Sequence, residues 1–366
     1  MHVICPKENL AKGLQAVQKA VSARGLLPIL SNVLVSAQGN ELKLVATDLE
    51  IGIEATVSAE VKVAGTLTLP AKTLSELVSK LPNADIELDT DESTGQAKVK
   101  CGSSSYTLCS LPATDFPPLP TLGDATLASL PSGLLAAATK QTTFAASADA
   151  AKSVLGGVHW HWSGESLELA ATDGYRLAVR RIQVPSGGAD MTMTLPSRVL
   201  SELGRLLPLG DEPVNVAQVG QQVIFALDRK LLSSRLLEGK YPDYQKIIPS
   251  TFERRLVMRR ADILAALERA SILASDRSNI VKLHLQADTV TITADTPDVG
   301  QGVEVVPASL EGESLEINFN AKFMIDALKV FDSDTVQLDL GGAINPAVLR
   351  TPGDDDFVCL LMPIRP

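Results

Sequence analysis

The sequence has few of the residues that support disulfide, metal or redox chemistry. Its 366 residues include four cysteines, which form no CxxC pair: Cys5, Cys101, Cys109 and Cys359. Widely spaced cysteines are typical of a reducing compartment, so they predict a cytoplasmic protein and argue against a disulfide framework or a zinc site. The chain also has no GxxxxGK[ST] phosphate loop, no GxGxxG turn and no HExxH pair. We therefore expect no cofactor.

Long apolar runs and aromatic residues are scarce too. No stretch approaches the roughly 18 apolar residues of a membrane span, and the N-terminus lacks the basic-then-apolar pattern of a signal peptide. We therefore expect no membrane partner. Aromatic residues make up 4% of the chain, which argues against a surface that stacks on the bases of single-stranded nucleic acid. His159 and His161 share one face of a predicted strand, but no third metal ligand is near in the sequence, so a solvated strand is the better interpretation.

The chain contains one sequence pattern that occurs three times. Segments that begin at residues 32, 157 and 280 each have two stretches of alternating apolar and polar residues around a polar turn. Alternation with period 2 predicts strands, and the turns predict hairpins. Each segment leads to an aspartate, at spacings of 125 and 122 residues: Asp48, Asp173 and Asp295.

A second segment repeats in nearly the same register. A short strand leads into a helix at Pro70, Pro196 and Asn320, which are 126 and 124 residues apart, and a further helix opens each copy. Proline or asparagine suits a helix start, where the backbone N–H groups have no partner within the helix. The sequence therefore predicts an α+β protein of three tandem repeats, each a domain with two helices and roughly eight strands. The predicted domain boundaries are 1–121, 122–251 and 252–366.

The positions of the charged residues are more informative than the net charge. The net charge of −10, taken alone, argues against nucleic-acid binding. The six predicted helical stretches, however, carry +6 and the rest of the chain carries −16. Three helices place basic pairs opposite their apolar stripes: Lys12 and Lys19, Lys72 and Lys80, Arg198 and Arg205. Two interpretations stay open, namely ordinary solvated helix faces and a basic surface that contacts duplex phosphates without reading sequence.

Five motifs resemble the β sliding clamp family of bacterial DNA polymerase III. They are LPILSNVLV at 27–35, ATDLE at 46–50, ATDGYRLAV at 171–179, EGKYPDYQKIIP at 238–249 and LLMPIRP at 360–366. The resemblance extends over the whole chain and includes the three-domain layout, and it implies two helices and two sheets in each domain.

The resemblance implies a non-enzymatic protein that forms a head-to-tail homodimer. Six similar domains would then surround a channel lined by helices, through which duplex DNA passes independently of its sequence. The ring would tether the α subunit of the replicative polymerase for processive synthesis. Clamp-loader subunits, other polymerases and repair proteins would bind the same ring through short peptide motifs.

The resemblance also assigns residues to three surfaces. Arg24, Lys80 and Arg198 match DNA-contact positions, and Tyr106 and Leu108 would pair with Ile272 and Leu273 across the dimer interface. The partner-peptide groove would contain Lys152, Thr172, Gly174, Tyr175, Arg176, Leu177, Pro242, Lys246, Ile247, Asn320, Phe323, Ile344, Pro346, Leu360, Met362, Pro363, Ile364 and Arg365. Tyr175 stands where the family often has histidine, and Pro346 where a small polar residue is common.

Two other classes of protein fit the sequence less well. A DNA-binding regulator should carry a recognition helix or stacking aromatic residues, and neither is visible in the sequence. A hydrolase or metal enzyme on a β-rich scaffold needs a nucleophile and a base, and four scattered histidines offer little support for that.

Overall fold

The structure is a computed structural model of the chain, and it describes residues 1–22, 27–91, 95–122, 126–149, 153–208, 210–274, 279–296 and 300–365. The chain forms two compact units. Unit 1 contains residues 1–133 and 202–236, and unit 2 contains residues 134–201 and 237–366.

Six α-helices occur in the part of the chain that the structure describes, two for each predicted repeat. They are α1 (Lys7–Val17), α2 (Ala71–Lys80), α3 (Ser132–Thr143), α4 (Ser197–Leu206), α5 (Arg260–Leu273) and α6 (Ala321–Leu328).

The strands of unit 1 form two antiparallel sheets. They are β1 (His2–Pro6), β2 (Asn32–Gln38), β3 (Glu41–Thr47), β4 (Ile51–Ser58), β5 (Glu60–Val63), β6 (Gly65–Pro70), β7 (Asp85–Asp91), β8 (Gln96–Cys101), β9 (Ser104–Cys109), β10 (Thr126–Pro131), β13 (Pro213–Val219), β14 (Gln222–Leu227) and β15 (Lys230–Arg235). One sheet has the order β5-β1-β7-β8-β9, and the other has the order β10-β13-β14-β15-β4-β3-β2-β6. The second sheet joins strands from two predicted repeats, because β15 pairs with β4.

The strands of unit 2 form one antiparallel sheet of ten strands. They are β11 (Gly157–Thr172), β12 (Arg176–Pro196), β16 (Arg254–Arg259), β17 (Ile280–Leu285), β18 (Thr289–Thr296), β19 (Gly300–Glu311), β20 (Leu315–Asn320), β21 (Thr335–Leu340), β22 (Ala347–Arg350) and β23 (Phe357–Leu361). Their order is β11-β12-β23-β22-β21-β16-β19-β18-β17-β20. The register of β11 against β12 shifts around Gly164, which has a φ of +60° and lies where the sequence predicts a turn.

The helix starts follow the prediction. Pro70 is the N-cap residue of α2, and Asn320 is the N-cap residue of α6, where its side chain accepts a hydrogen bond from the N–H of Phe323 at 3.2 Å. A capped amide at this position satisfies one of the N–H groups that lack a partner within the helix. The prediction that the first helix includes Lys19 was wrong. Helix α1 ends at Val17, and Lys19 lies in a following 3-10 turn, Gln18–Ala20.

The apolar stripes form the cores of the two units. Leu10, Leu14 and Val17 of α1 are buried, whereas Lys12 and Lys19 are exposed. In unit 2, Trp160 and Trp162 of β11 are fully buried, as their alternation in the strand requires. Among the described residues, no helix combines the length and the apolar content that crossing a membrane requires.

Candidate functional site

The centre of the predicted groove is a tight turn between β11 and β12. The Asp173 carboxylate accepts hydrogen bonds from the N–H groups of Tyr175 (2.9 Å) and Arg176 (3.0 Å). Thr172 closes the same turn, because its hydroxyl donates to the Arg176 carbonyl at 2.7 Å and accepts from the N–H of Gly174 at 3.1 Å. Gly174 has a φ of +94°, a conformation that glycine adopts without strain. The Thr-Asp-Gly motif therefore fixes the turn and presents Tyr175, which is exposed.

Arg176 joins this turn to two other elements of unit 2. Its Nε donates to Asp173 at 3.1 Å, and its Nη1 donates to Asp326 of α6 at 2.8 Å. The guanidinium also lies over the ring of Phe323, 4.5 Å from the centroid, and over the ring of Phe144, at 5.4 Å. Because Arg176 is only 11% exposed and both its ionic partners are carboxylates, it holds α6 against the turn.

Four large apolar side chains of the predicted groove are exposed in unit 2. Tyr175 is 60% exposed, Ile247 47%, Ile344 63% and Met362 38%. The rings of Tyr175 and Phe323 stack with their centroids 6.5 Å apart. Apolar side chains gathered on one surface usually mark a contact site for a partner, whereas scattered ones do not.

The wall of the groove comes from the segment that follows β15. Tyr241 and Tyr244 are buried in a cluster with Leu177 and Leu360, and Val154 and Leu155 pack against this cluster. The Tyr241 hydroxyl accepts a hydrogen bond from the N–H of Thr172 at 3.0 Å. Burial raises the pKa of Tyr241 to about 12, so its hydroxyl stays protonated.

The same segment forms a 3-10 helix, Tyr244–Ile247, whose exposed side places Lys246 and Ile247 at the surface. Lys246 pairs with Asp243 at 2.7 Å, and Pro242 is exposed beside that pair.

The C-terminal tail closes the arrangement. The N–H of Met362 donates to the Tyr175 carbonyl at 2.9 Å, and the N–H of Ile364 donates to the Asn318 carbonyl at 2.8 Å. Two backbone hydrogen bonds thus hold the tail, although it lies beyond the last strand. Pro363 and Ile364 are half-buried and Arg365 is exposed.

The structure places most of the predicted groove residues in unit 2. The turn, the tyrosine cluster and the tail bring together Thr172, Gly174, Tyr175, Arg176, Leu177, Leu360, Met362 and Phe323. Asn320 is the N-cap of α6, Ile344 and Pro346 lie in the loop before β22, and Pro346 is half-buried. Lys152 lies outside the described residues. Sequence reasoning missed Leu155, Phe144 and Asp326, although Leu155 follows Lys152 closely in the chain.

The first repeat builds the same turn from ATDLE. The Asp48 carboxylate accepts from the N–H groups of Glu50 (3.0 Å) and Ile51 (2.9 Å), and the N–H of Arg235 donates to the Glu50 carbonyl at 2.9 Å, as Met362 does to Tyr175. The residues that line the turn differ, however. Gly52 and Ser233 occupy the register positions that Leu177 and Leu360 hold in the other copy.

The chain itself occupies the space above Gly52. A Cβ atom on Gly52 would lie 2.3 Å from Cδ2 of Leu119, so Leu119 fills the place of the missing side chain. A cavity of about 250 Å³ remains, lined in part by two serines, Ser233 and Ser234. The two repeats therefore share a backbone frame, but one of them presents an apolar lining and the other a polar one.

The predicted basic surface is partly assembled in unit 1. Lys12 and Lys19 of the first helical segment and Arg205 of α4 line one cavity of about 580 Å³, together with Glu202 and Lys230. Sequence reasoning missed Lys230, which follows a hairpin and belongs to no helix. Local acids neutralise part of the positive charge, since Lys12 pairs with Glu8 at 2.6 Å and Arg205 with Glu202 at 2.7 Å.

The other predicted DNA-contact residues that the structure describes lie on two helices. Lys72 and Lys80 are exposed on α2, and Lys72 lies 4.0 Å from Glu76. Arg198 is exposed in the first turn of α4. Arg24 lies outside the described residues.

Two of the unpaired strand edges lie at or beside the predicted dimer residues. In unit 1, β9 is the last strand of its sheet, with Tyr106 exposed and Leu108 half-buried. In unit 2, β19 pairs with β16 only from Ala308 onward, so residues 300–307 contact β18 alone among the described strands.

Apolar side chains line this second edge. Val303 is 59% exposed and Val305 is 60% exposed, and Ile272 of α5 is 70% exposed. Leu273 packs on Gly302, since a Cβ atom there would lie 2.7 Å from Leu273 Cδ1. Sequence reasoning named Ile272 and Leu273 but missed both valines, which alternate along β19 as period-2 reasoning could have found.

The two strand histidines have separate partners. His159 stacks on Tyr241 with centroids 4.9 Å apart, and its Nδ1 lies 3.1 Å from the Thr194 hydroxyl. Burial, with a smaller contribution from His161, lowers the pKa of His159. His161 pairs with Asp190 at 3.1 Å. Within the described ranges, no cluster of three or more His, Cys, Asp or Glu side chains could hold a metal ion.

Comparisons with known proteins agree over the full length of the chain. Three family models match in order: the N-terminal domain of the DNA polymerase III beta subunit at residues 1–120, its central domain at 129–243 and its C-terminal domain at 245–365. The beta sliding clamp of Synechocystis sp. is 37% identical, covering 100% of this chain and 99% of the relative. The beta sliding clamp of Bacillus subtilis is 32% identical, covering 98% of both chains.

Solved structures give the same result. The DNA polymerase sliding clamp from Bacillus subtilis has a TM-score of 0.95 at 32% identity, covering 100% of this chain and 99% of its own. The sliding clamp from Pseudomonas aeruginosa bound to griselimycin has a TM-score of 0.94 at 30% identity, covering 100% of both chains.

These matches confirm the predicted α+β fold of three tandem clamp domains. They also account for a chain that offers a surface turn, a tyrosine-lined wall and basic helices in place of a catalytic centre. The chain therefore belongs to the DNA polymerase III beta subunit family, the DNA sliding clamps, which are non-catalytic processivity factors of DNA polymerase.

Proposed function

We propose that two copies of this chain associate head to tail into a ring that encircles duplex DNA and slides along it. Family membership and the two unpaired edges support this proposal. An unpaired edge is a template for strand addition. Because β9 and β19 are different edges, their pairing is heterologous, and such interfaces form closed rings when the rotation closes.

The proposed dimer interface joins β9 of one copy to residues 300–307 of the other. Tyr106 and Leu108 would then meet Val303 and Val305, with Ile272 and Leu273 of α5 beside them. Exposed apolar side chains on both edges favour this pairing over solvation, since burial of apolar area stabilises association by about 25 cal/mol per Å² before the costs of association.

Each copy would contribute three domains, with boundaries at 1–121, 122–251 and 252–366. The family spans support the first boundary closely, because the first model ends at residue 120 and the second begins at 129. The third model begins at 245, seven residues before the proposed start of the third domain.

Duplex DNA would contact the basic helix faces through its phosphates. The cavity lined by Lys12, Lys19, Arg205 and Lys230 is the strongest support for this role, because four cations face one another across it with one carboxylate. Arg24, Lys72, Lys80 and Arg198 would extend the same surface. Contacts to phosphate alone leave the base sequence unread, which is what sliding requires.

Partner proteins would bind the groove around the Thr172–Arg176 turn. The observation that carries this proposal is the set of exposed apolar side chains around one buried cluster in unit 2. The α subunit of the replicative polymerase, clamp-loader subunits, and other polymerases and repair proteins would compete for it through short apolar peptide motifs. The methionine at position 362 suits such variety, because its flexible thioether adapts to different partners.

We place this activity in the cytoplasm. The support is the cysteine chemistry, since all four cysteines are free thiols and three of them are buried.

The ring is tested by retention on DNA of two topologies. After loading, the wild-type protein should remain on closed circular DNA and be lost when the circle is linearised. Val303→Asp should abolish retention and reduce the solution mass from two chains to one. Val63→Asp is the matched control, because Val63 is 56% exposed on β5, at the opposite edge of the sheet that contains β9. Equal loss from circles and linear DNA would refute the ring.

The groove is tested with the purified polymerase α subunit. The double variant Tyr175→Ala, Met362→Ser should lose binding while keeping the dimeric mass. Val219→Ser is the control, because Val219 is an exposed valine (44%) in unit 1. Unchanged affinity of the double variant would refute the groove, and loss of the dimer would show that these residues are structural.

A further inference from the structure

A buried carboxylate lies behind the wall of the groove, and no groove residue was predicted there. Glu168 of β11 is only 7% exposed. Its Oε1 accepts hydrogen bonds from the Tyr244 hydroxyl at 2.6 Å and from Nε2 of Gln245 at 3.3 Å. Its Oε2 accepts from Nη2 of Arg181 at 2.8 Å. Three donors from two segments therefore converge on one buried side chain.

Two of these donors belong to the 3-10 helix that carries the groove wall. Tyr244 and Gln245 are its first two residues, and Lys246 and Ile247 are its last two. A hydrogen bond to an ionised acceptor is stronger than one between neutral groups. Burial alone would raise the pKa of Glu168, but the hydrogen bonds from Tyr244, Arg181 and Gln245 outweigh burial and keep that pKa below its ordinary value. The carboxylate is thus ionised at neutral pH.

Packing holds the ring of Tyr244, which lies in the buried cluster with Tyr241, Leu177 and Leu360. The hydrogen-bonded side chains line an open cavity of about 680 Å³, together with the following residues Ile248 and Phe252. The hydrogen bonds to Glu168 therefore add to this packing and fix the side chains of Tyr244 and Gln245 at the cavity.

We propose that Glu168 is a positioning residue of the partner groove, which sets the place of Lys246 and Ile247 through Tyr244 and Gln245. The proposal rests on the proposed function of the groove. Tyr241 fixes one end of the wall segment to the N–H of Thr172, and Glu168 fixes the other end. Glu168 itself touches no partner, so its effect on binding is carried by the segment that it holds.

The test uses two conservative variants of the full-length protein and their combination. Tyr244→Phe removes one hydroxyl and keeps the ring, and Glu168→Gln keeps the shape but offers three donors a single acceptor oxygen. Glu316→Gln is the matched control, because Glu316 is an exposed carboxylate of unit 2 that lies 3.6 Å from Lys282. The probe is the purified polymerase α subunit, and its Kd is measured by surface plasmon resonance.

Each single variant should weaken binding about tenfold, or about 1.4 kcal/mol. The double variant should be no weaker than the more severe single variant, because both changes break the same contact. Amide hydrogen exchange should become faster in residues 244–248 and stay unchanged at the Tyr175 turn. A purely structural role would instead speed exchange throughout unit 2.

Binding within twofold of wild type, additive losses, or faster exchange across the whole unit would each overturn the proposal. If the wild-type protein does not bind the α subunit, the proposed function of the groove fails. The exchange measurement needs no partner, and unaffected amides at 244–248 would still refute the positioning role.

Discussion

Arg176 offers the sharpest test of how the groove is held together. Replacing it with alanine removes two charge-assisted hydrogen bonds, to Asp173 and Asp326, and the stacking of the guanidinium over Phe323 and Phe144. It also leaves two carboxylates without their cation. Because the two aspartates lie on different elements, the substitution disconnects α6 from the turn.

The exposure of the two aspartates determines how much stability the substitution removes. Removing one partner of a buried ion pair costs about 3–5 kcal/mol, and the Asp173 side chain is 14% exposed. The Asp326 side chain is 31% exposed, so water can rehydrate it, and its share is nearer to the ~1 kcal/mol of a surface pair. Taking the lower end of the first range, we expect Arg176→Ala to lower the free energy of unfolding of unit 2 by about 4 kcal/mol. In a unit of ~200 residues this corresponds to a fall in Tm of about 8–16 °C.

Tryptophan fluorescence isolates unit 2 in this measurement. The chain has two tryptophans, Trp160 and Trp162, and both are fully buried in β11. Their emission during urea titration therefore reports the unfolding of that unit. Arg176→Lys should recover roughly half of the loss, because lysine supplies the charge without the planar fork. Arg205→Ala is the control, since its guanidinium is 62% exposed and pairs with Glu202 on its own helix.

A loss below about 1 kcal/mol for Arg176→Ala would refute this reasoning. It would mean that water replaces the ion pairs at no net cost, and that α6 is held by packing alone.

Three further predictions concern other parts of the chain. Cys109 is exposed, whereas the other three cysteines are buried, and burial raises the pKa of Cys359. Ellman's reagent should therefore titrate one fast thiol per native chain and three more after denaturation. More than one fast thiol would contradict the described burial. Because the pKa of His159 is lowered, its neutral form stabilises the fold above a pH of about 6.5, and this contribution is lost as the pH falls through the folded pKa. His159→Gln should therefore make the urea midpoint depend less on pH between about 7.5 and 5.5 than it does in the wild type. An unchanged pH dependence would contradict this prediction. Lys230→Gln should reduce the slope of log K for duplex DNA against the logarithm of the salt concentration by about one unit, as measured by fluorescence anisotropy. An unchanged slope would show that Lys230 does not belong to the DNA surface.

Local patterns in the sequence predicted what depends on near neighbours. The period-2 and helical patterns placed the strands and six helices, and Pro70 and Asn320 marked helix starts because caps act on the next three residues. Lys19 was placed in the first helix because the apolar stripe of Leu10, Leu14 and Val17 continues at Val21 in the sequence, whereas the residues that follow Val17 form a 3-10 turn in which Ala20 is buried. Burial alone does not distinguish these two conformations.

Contacts between distant segments could not be predicted in this way. Arg176 and Asp326 are 150 residues apart, and Tyr244 and Glu168 are 76 apart. Their pairing follows from how strands of unit 2 are ordered, which no local pattern encodes. The resemblance supplied the residues of the predicted groove, but not Asp326 and Phe144, which contact Arg176, nor Glu168, which contacts Tyr244. Lys230 was missed for a related reason, since its role depends on a cavity shared with two helices.

The two Asp turns explain why repetition of a fold does not repeat a site. Asp48 and Asp173 each accept two backbone hydrogen bonds of 2.9–3.0 Å, so the backbone frame is the same in both copies. The backbone frame needs few specific residues, because a Thr-Asp pair is enough to close the turn. The lining is set independently, by leucines in one copy and by Gly52 with serines in the other. A repeated domain can therefore keep its turn while the residues at two register positions give one copy an apolar lining, and in the other copy the chain's own Leu119 covers Gly52.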